Sequence, residues 1–509
     1  MKRYFFYLAT LWMLCLFTAC TEVANEVDYP SIGSSTGTEG ESESRIKASV
    51  TLSETNRLDA QLEAALGAEQ KYLVQDLTIS GTFYGVDVET LHKLTQLESV
   101  DMSDAVLSGE ALCNYGFTEM YDELTGAEEA HGYGGNLVDN CLSNYFFCGM
   151  RRLSQIVLPN TISHVGYMSM AGTSIQKMQI PSSVASIDGE AFRFCKQLKV
   201  LLIPSTVTSV GGSFLNLVAG CDKMSNLVWN TAANITFRCP NTNCILHLVG
   251  DGANANILNE DYGVFWPRVA RDGQIDELNL SHSEDIWSAV TYYNGYEYKA
   301  KTASLSMYFH RRETSIDGTP CGWRTIVIPF DVDSIFSEQR GLLAPFGSEV
   351  EGAKPFWLRE LTVNGFVNAT SIKANKPYIM ALPNNPIYSD EYNIEGLITF
   401  TAENATIGVT PDILPAAEGP DYDLQPTYEY VAHSRDVFAL NYNYEIRNVR
   451  MGSVFANMSA DIYPFEAYAK PKNGTNLTEV ASAFTIGSST STRTVKSDSI
   501  KRAPLPDDM

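Results

Sequence analysis

The chain of 509 residues carries 60 acidic against 36 basic side chains, a formal charge of −24. So acidic a surface excludes nucleic acid as a partner, because phosphate binding needs clustered Lys or Arg. Beyond the N-terminus no apolar run approaches the roughly 18 residues of a membrane-spanning helix, so none is expected in the mature chain.

Lys2 and Arg3 precede an apolar run from Tyr4 to Phe17, followed by Thr18, Ala19 and Cys20. A basic start, a run too short to span and small residues before a cut describe an export signal over residues 1–19. The segment resembles a bacterial lipoprotein signal, although Phe17 stands where Leu is usual. That resemblance implies acylation at Cys20 and a lipid anchor as the sole membrane contact. Residues 20–50, rich in Ser, Gly, Thr and Glu, cannot bury a core and are predicted to be a flexible tether. Glu22, Glu26 and Asp28 resemble the signals that send some lipoproteins to the outer leaflet, which implies an outer-membrane, cell-surface location.

From residue 51 to 298 apolar residues recur at fixed offsets. Val74, Leu77 and Ile79 open the series, and Leu97, Val100 and Met102 follow. Three clean copies come next: LSQIVLPNTISHV (Leu153 to Val165), IQKMQIPSSVASI (Ile175 to Ile187) and LKVLLIPSTVTSV (Leu198 to Val210). Cys221, Met224, Leu227 and Trp229 continue the offsets. The copies lie 22 and 23 residues apart with Pro159, Pro181 and Pro204 in register, the period of a leucine-rich repeat and hence of a stacked solenoid. The last two apolar residues of each trio are two apart, so each coil holds one short strand whose intervening residues point outward. The proline directly after it removes a ladder donor and turns the chain. A second apolar pair, Ile162 and Val165, Val184 and Ile187, Val207 and Val210, is expected on another wall of the same core. With one rung counted near Gly135 to Phe147, about six to eight coils are expected, caps included. The 56 residues from Leu97 to Leu153 exceed two repeats by about ten, a surplus assigned to an insertion at Cys113 to Gly135.

The segment AFRFCKQLKVLLIPSTVTSV (Ala191 to Val210) closely resembles the repeat of the BspA-like leucine-rich-repeat surface lipoproteins of host-associated anaerobic bacteria. LTISGTFYGVDVETLHKLTQLESVDMSDA (Leu77 to Ala105) is similar to that family's opening coils, which makes Asn56 to Leu66 a short helix capping the solenoid. GWRTIVIPFDV (Gly322 to Val332), ANKPYIMAL (Ala374 to Leu382), FALN (Phe438 to Asn441) and YPFEAYA (Tyr463 to Ala469) resemble a β-sandwich module that often follows such repeats. The resemblance implies a right-handed superhelix, surface display and an adhesive or binding role, and it identifies no ligand.

From residue 299 to 487 the repeat is gone, and aromatic, β-branched segments such as SLSMYFHR, WRTIVIPFDV and FWLRELTV alternate with Gly, Pro, Asn and Asp. Short strands at this spacing read as an all-β sandwich, so the whole fold is β-rich. Trp323, Phe330, Trp357 and Phe400 sit in strand patterns and are read as core rather than as a sugar-stacking platform. Residues 488–509 are predicted to be disordered.

No catalytic residue, cofactor or metal is expected. Gly33-Ser34-Ser35-Thr36-Gly37 has the spacing of a nucleophile elbow but lies in the tether, with neither strand nor helix beside it. Asp251, Asn254 and Asn256 lack the EF-hand spacing, and Tyr262 stands where its Glu belongs. His92, His164, His247 and His310 form no metal spacing and read as surface or core residues. Cys195 and Cys221 precede matching core positions by three residues and read as small apolar side chains in the stack. Cys239 and Cys244 are the one local pair placed to bridge. Asp333-Ser334-Ile335 and Asp498-Ser499-Ile500 match a short acceptor pattern for O-glycosylation.

Binding is assigned to the outward residues of the solenoid sheet: Asp76 and Thr78, Ser99 and Asp101, Gln155 and Val157, Lys177 and Gln179, Val200 and Leu202, Asn226 and Val228. The stripe passes from acidic and polar to apolar at Val200, Leu202 and Val228, and an apolar patch marks either a ligand site or a contact within the chain. The expected ligand is a protein on a host or neighbouring cell, bound through this face or the insertion. The alternative is glycan capture by the C-terminal module.

Overall fold

The structure, a computed structural model, describes residues 45–110, 113–119, 131–211, 217–235, 244–257, 268–284, 292–310, 321–348, 350–384, 390–434, 436–441, 452–457, 460–472 and 483–485. The export signal, Cys20, most of the tether, Cys239, Tyr262 and the C-terminal tail lie outside these residues.

The first half runs β1 (Lys47–Leu52), α1 (Leu58–Leu66), β2 (Asp76–Phe83), α2 (Gly85–Leu91), β3 (Ser99–Leu107), β4 (Asn114–Glu119), β5 (His131–Asn136) and β6 (Cys141–Leu142). It continues with β7 (Gln155–Val157), β8 (His164–Val165), β9 (Lys177–Gln179), β10 (Ser186–Ile187), β11 (Val200–Ile203), β12 (Ser209–Val210), β13 (Asn226–Trp229), β14 (Ile245–Leu248) and β15 (Arg268–Arg271). β1, β2, β3 and β7 pair in parallel, and so do β9, β11, β13, β14 and β15. These runs of four and five strands exceed the expected six to eight coils. The extra rungs are at the ends: β14 and β15 prolong the stack, and β1 falls across the start of the solenoid read from sequence. Val50 and Leu52 alternate with polar residues, and their burial draws β1 onto β2, with Val50 opposite Ile79.

Within each coil the inward trio is packed; Ile175, Met178 and Ile180 are all buried, as are Leu198, Leu201 and Ile203. After each strand the proline carbonyl closes a turn: Ile162, Val184 and Val207 donate to Pro159, Pro181 and Pro204 at 3.4, 3.1 and 3.2 Å. β6, β8, β10 and β12 then form a second parallel ladder, which buries Val165, Ile187 and Val210 on another wall of one continuous core. Past that ladder the coil imposes a left-handed residue; Tyr145, Met168 and Glu190 take φ of 60°, 50° and 58° at equivalent places. A conformation shared by three such different side chains belongs to the coil and not to the residue.

Among the described residues no rung of this sheet lies between β3 and β7, because Val100 pairs directly with Ile156. The coil expected near Gly135 to Phe147 is therefore missing from that wall, and the surplus leaves as one excursion. β4 and β5 form an antiparallel hairpin whose Tyr115 is buried against the stack and donates its hydroxyl to the Asn144 carbonyl.

Beyond β15 the chain reverses through Asp272 and Gly273, both left-handed, into antiparallel β16 (Gln274–Ser281), and β17 (Tyr298–Phe309) pairs in parallel with β16. β18 (Arg324–Val327), β19 (Ser334–Ser337), β20 (Gly341–Pro345), β21 (Lys354–Thr362), β22 (Gly365–Asn368), β23 (Pro377–Ala381) and β24 (Gly396–Ile407) follow. The sheet that starts at β9 continues through β15, β16, β17, β24, β19, β20, β21, β23 and β18 as one surface of fourteen strands, β22 included. A separate six-stranded sheet runs from Ala417–Glu418 to Ala483–Thr485. Trp357 and Ile379 of the long sheet, with Trp323, pack against Leu424, Phe438 and Phe455 of the six-stranded one. A further core holds Ile245 of β14 and Ala270 of β15 together with Leu305, Phe330 and Phe400. The outward face of the last rungs is thus the inner face of the next core.

Candidate binding face of the solenoid

The outward side chains stand in columns set by the parallel register, with Thr78 beside Asp101 and Asp101 beside Val157. Thr78, Gln155, Val157, Lys177 and Gln179 are exposed, and Asp76, Ser99 and Asp101 are half-buried. Asp76 pairs with Lys47 at 3.5 Å, and Asp101 accepts the Ser103 backbone N–H at 2.9 Å, which offsets part of the acidic character at this end.

The other end of the stripe is closed. Val200, Asn226 and Val228 are 2%, 0% and 4% exposed, and Leu202 is half-buried. Part of the cover is the segment Tyr292 to Tyr296. Gly295 lies flat on Val200, where a Cβ would come within 2.2 Å of Val200 Cγ2. Its N–H donates to Asn226 Oδ1, and Asn226 Nδ2 meets His247 Nε2 at 3.1 Å. Burial pushes the His247 ring down to about 3, so the imidazole stays neutral. Asn294 donates to the Ile407 and Gly408 carbonyls at 3.1 and 2.8 Å and exchanges bonds with Thr410, which fastens the segment to the loop after β24.

Two ion pairs flank this cover, Lys177 with Asp412 at 2.8 Å and Lys199 with Glu429. The Tyr293 ring stands 5.4 and 5.1 Å from the two ammonium groups. Burial would lower Lys177, but Asp412 and Tyr293 hold it above its ordinary value, and Lys177 in turn holds Asp412 below its own. Of the two roles open to the apolar end, the chain itself fills that of an internal contact. TYYNGYEY (Thr291 to Tyr298) carries neither the repeat offsets nor strand alternation, so only its tyrosine density hinted at a packing role.

The insertion supplies Phe117 and Tyr133 to a row of rings, His92, Phe117, Tyr133, Tyr145 and Tyr167, with centroids 3.5, 5.7, 5.2 and 5.6 Å apart. The tyrosines and Phe117 are half-buried over Cys148, Met168 and Ala171, so the row fastens the hairpin to the coils. Cys195 and Cys221 are buried, and their thiols donate to the Met170 and Phe192 carbonyls of the preceding coils at 3.1 and 3.0 Å. Cys244 is buried in the same core. His164 contacts Ser186 at 2.7 Å and Asp188 at 3.1 Å, and His310 is exposed. Ser334 is exposed on β19, 2.7 Å from the Thr401 hydroxyl. Trp323, Phe330, Trp357 and Phe400 are all buried. Among the described residues no three His, Cys, Asp or Glu side chains group to hold a metal, and no helix is long and apolar enough to cross a membrane.

Residues 140–236 match the model of the BspA type leucine rich repeat region, in six copies. The chain carries BspA-type leucine-rich repeats. A solved leucine-rich repeat protein from Bacteroides ovatus is similar at 15% identity over 43% of this chain and 46% of its own, with a TM-score of 0.22. A leucine rich cell surface protein from Faecalibacterium prausnitzii is similar at 15% identity over 30% of this chain and 51% of its own, with a TM-score of 0.16. The chain thus spans about half the length of each. No curated protein matches it.

Proposed function

We propose that this BspA-type protein is a non-catalytic surface lipoprotein, anchored through Cys20 in the outer membrane, that adheres to a protein on a host or neighbouring cell. The observation that carries the reading is the open half of the solenoid face, where Thr78, Gln155 and Val157 stand exposed on one parallel ladder and Gln179 on the first strand of the next, while the far half is filled by the chain. Parallel strands hold such side chains in fixed columns, which favours a macromolecular surface over a small ligand. The binding face is accordingly the stripe from Asp76 to Gln179, with Lys177 at its margin already engaged by Asp412.

A plate assay with an array of extracellular-matrix proteins tests this. The full chain binds at least one of them, and the triple substitution Gln155→Ala, Val157→Ser, Gln179→Ala weakens that binding about tenfold. Retention by the triple variant at wild-type strength, or no binding to any matrix protein, sinks the adhesin reading. Fatty-acid labelling that survives Cys20→Ser would sink the anchor.

A further inference from the structure

The outer face of the C-terminal sheet carries an exposed cluster that the solenoid reading does not use. Side chains alternate along β17, β24 and β19, and Tyr308, Leu397 and Phe336 face outward at 53%, 38% and 50% exposure. Met307, Ile398 and Ile335 beside them point into the core, so the backbone that presents the cluster is fixed from behind. Tyr308 lies directly across from Leu397, and Phe336 across from Thr399. Two strand spacings and a two-residue offset put the Cα atoms of Tyr308 and Phe336 about 12 Å apart.

Hydroxyl groups neighbour them on the same face. Ser306 Oγ lies 3.2 Å from Thr399 Oγ1, and Thr401 Oγ1 takes the next outward place on β24. Ser306 and Thr399 bond to each other, and Thr401 donates to the Ser334 carbonyl at 3.3 Å; each hydroxyl has one donor and two acceptor sites, so acceptor capacity remains for a ligand. In a chain of formal charge −24 these six side chains form an uncharged field.

We propose that this face binds a neutral polysaccharide, with one sugar ring over Tyr308, another over Phe336 and sugar hydroxyls on Ser306, Thr399 and Thr401. The C–H face of a pyranose is weakly positive and is attracted to the negative face of an aromatic ring. A neutral chain has no charge to desolvate, whereas an acidic glycan meets the repulsion of the whole molecule. An open sheet face encloses no small molecule, so an extended chain fits its shape. The site lies on a different element from the solenoid face and takes a different ligand, so either reading can fail alone.

Affinity electrophoresis of the full chain in gels containing hydroxyethylcellulose or mannan, with polygalacturonate as the acidic counterpart, decides the matter. Expected are retardation in a neutral gel, none in polygalacturonate, and about tenfold weaker retardation for each of Tyr308→Ala and Phe336→Ala. Both side chains are half exposed, so the variants stay folded with only a small drop in melting temperature and keep matrix-protein binding. Free migration of the wild type in both neutral gels overturns the proposal, as does equal retardation of the double variant. Concentration-dependent dimerisation abolished by the same two substitutions overturns it too, because the patch is then a protein interface.

Discussion

Glu466 is wholly buried, and three donors converge on its carboxylate: His282 at 3.0 Å, Arg324 at 3.2 Å and the Tyr463 N–H at 3.1 Å. Burial pushes the carboxyl up, but the His282 hydrogen bond and the Arg324 charge outweigh it and hold the group below its ordinary range. Folding therefore favours the charged form. Its contribution is whole above the unfolded carboxyl value of about 4.3 and is lost as pH falls through the lower folded value. Denaturant titrations are expected to show a plateau above about pH 5 and a steep loss below about pH 4. Glu466→Gln should flatten that acid limb and cost about 3 kcal/mol at neutral pH; an unchanged limb refutes the assignment. None of this network was legible in the sequence, because its members come from three distant segments with no local spacing. Cys195 and Cys221 were legible, since the coil repeats their position.

At the scale of the element, the apolar rule of the repeat could be read because inward positions must recur for coils to stack. Leu201→Ala is accordingly expected to cost about 3 kcal/mol in a denaturant melt, the usual loss for a buried leucine. What escaped was one rung: the insertion at Cys113 to Gly135 could be placed from chain length, but the coil counted beside it drops out once Val100 is seen to pair with Ile156. β1 escaped because two buried residues, Val50 and Leu52, carry its pattern. The cover over β11 and β13 gives a sharper test. Gly295→Ala would force a methyl into Val200, so the segment must lift, and hydrogen exchange in β11 and β13 should rise while β2 and β3 stay protected. Unchanged exchange would mean that other groups close this face.

For the whole molecule, the loss of repeat pattern after residue 298 suggested two domains, yet one sheet passes between them and the outward face of β14 and β15 enters the second core. Calorimetry should therefore record a single cooperative transition, and two resolved peaks would show that the halves melt independently. The ion pairs across the junction matter less than the sheet. Lys177 and Asp412 are 47% and 76% exposed, so Lys177→Ala should shift stability by at most about 1 kcal/mol and leave the transition single. The reversal at Asp272 and Gly273 has a consequence for growth. A file of parallel coils ends in a strand edge that another copy can extend, and repetition of that step makes a fibre. Here the edge of β15 is taken by β16 running the other way, so no further coil can be added at this end, and a periodic object becomes a finite one.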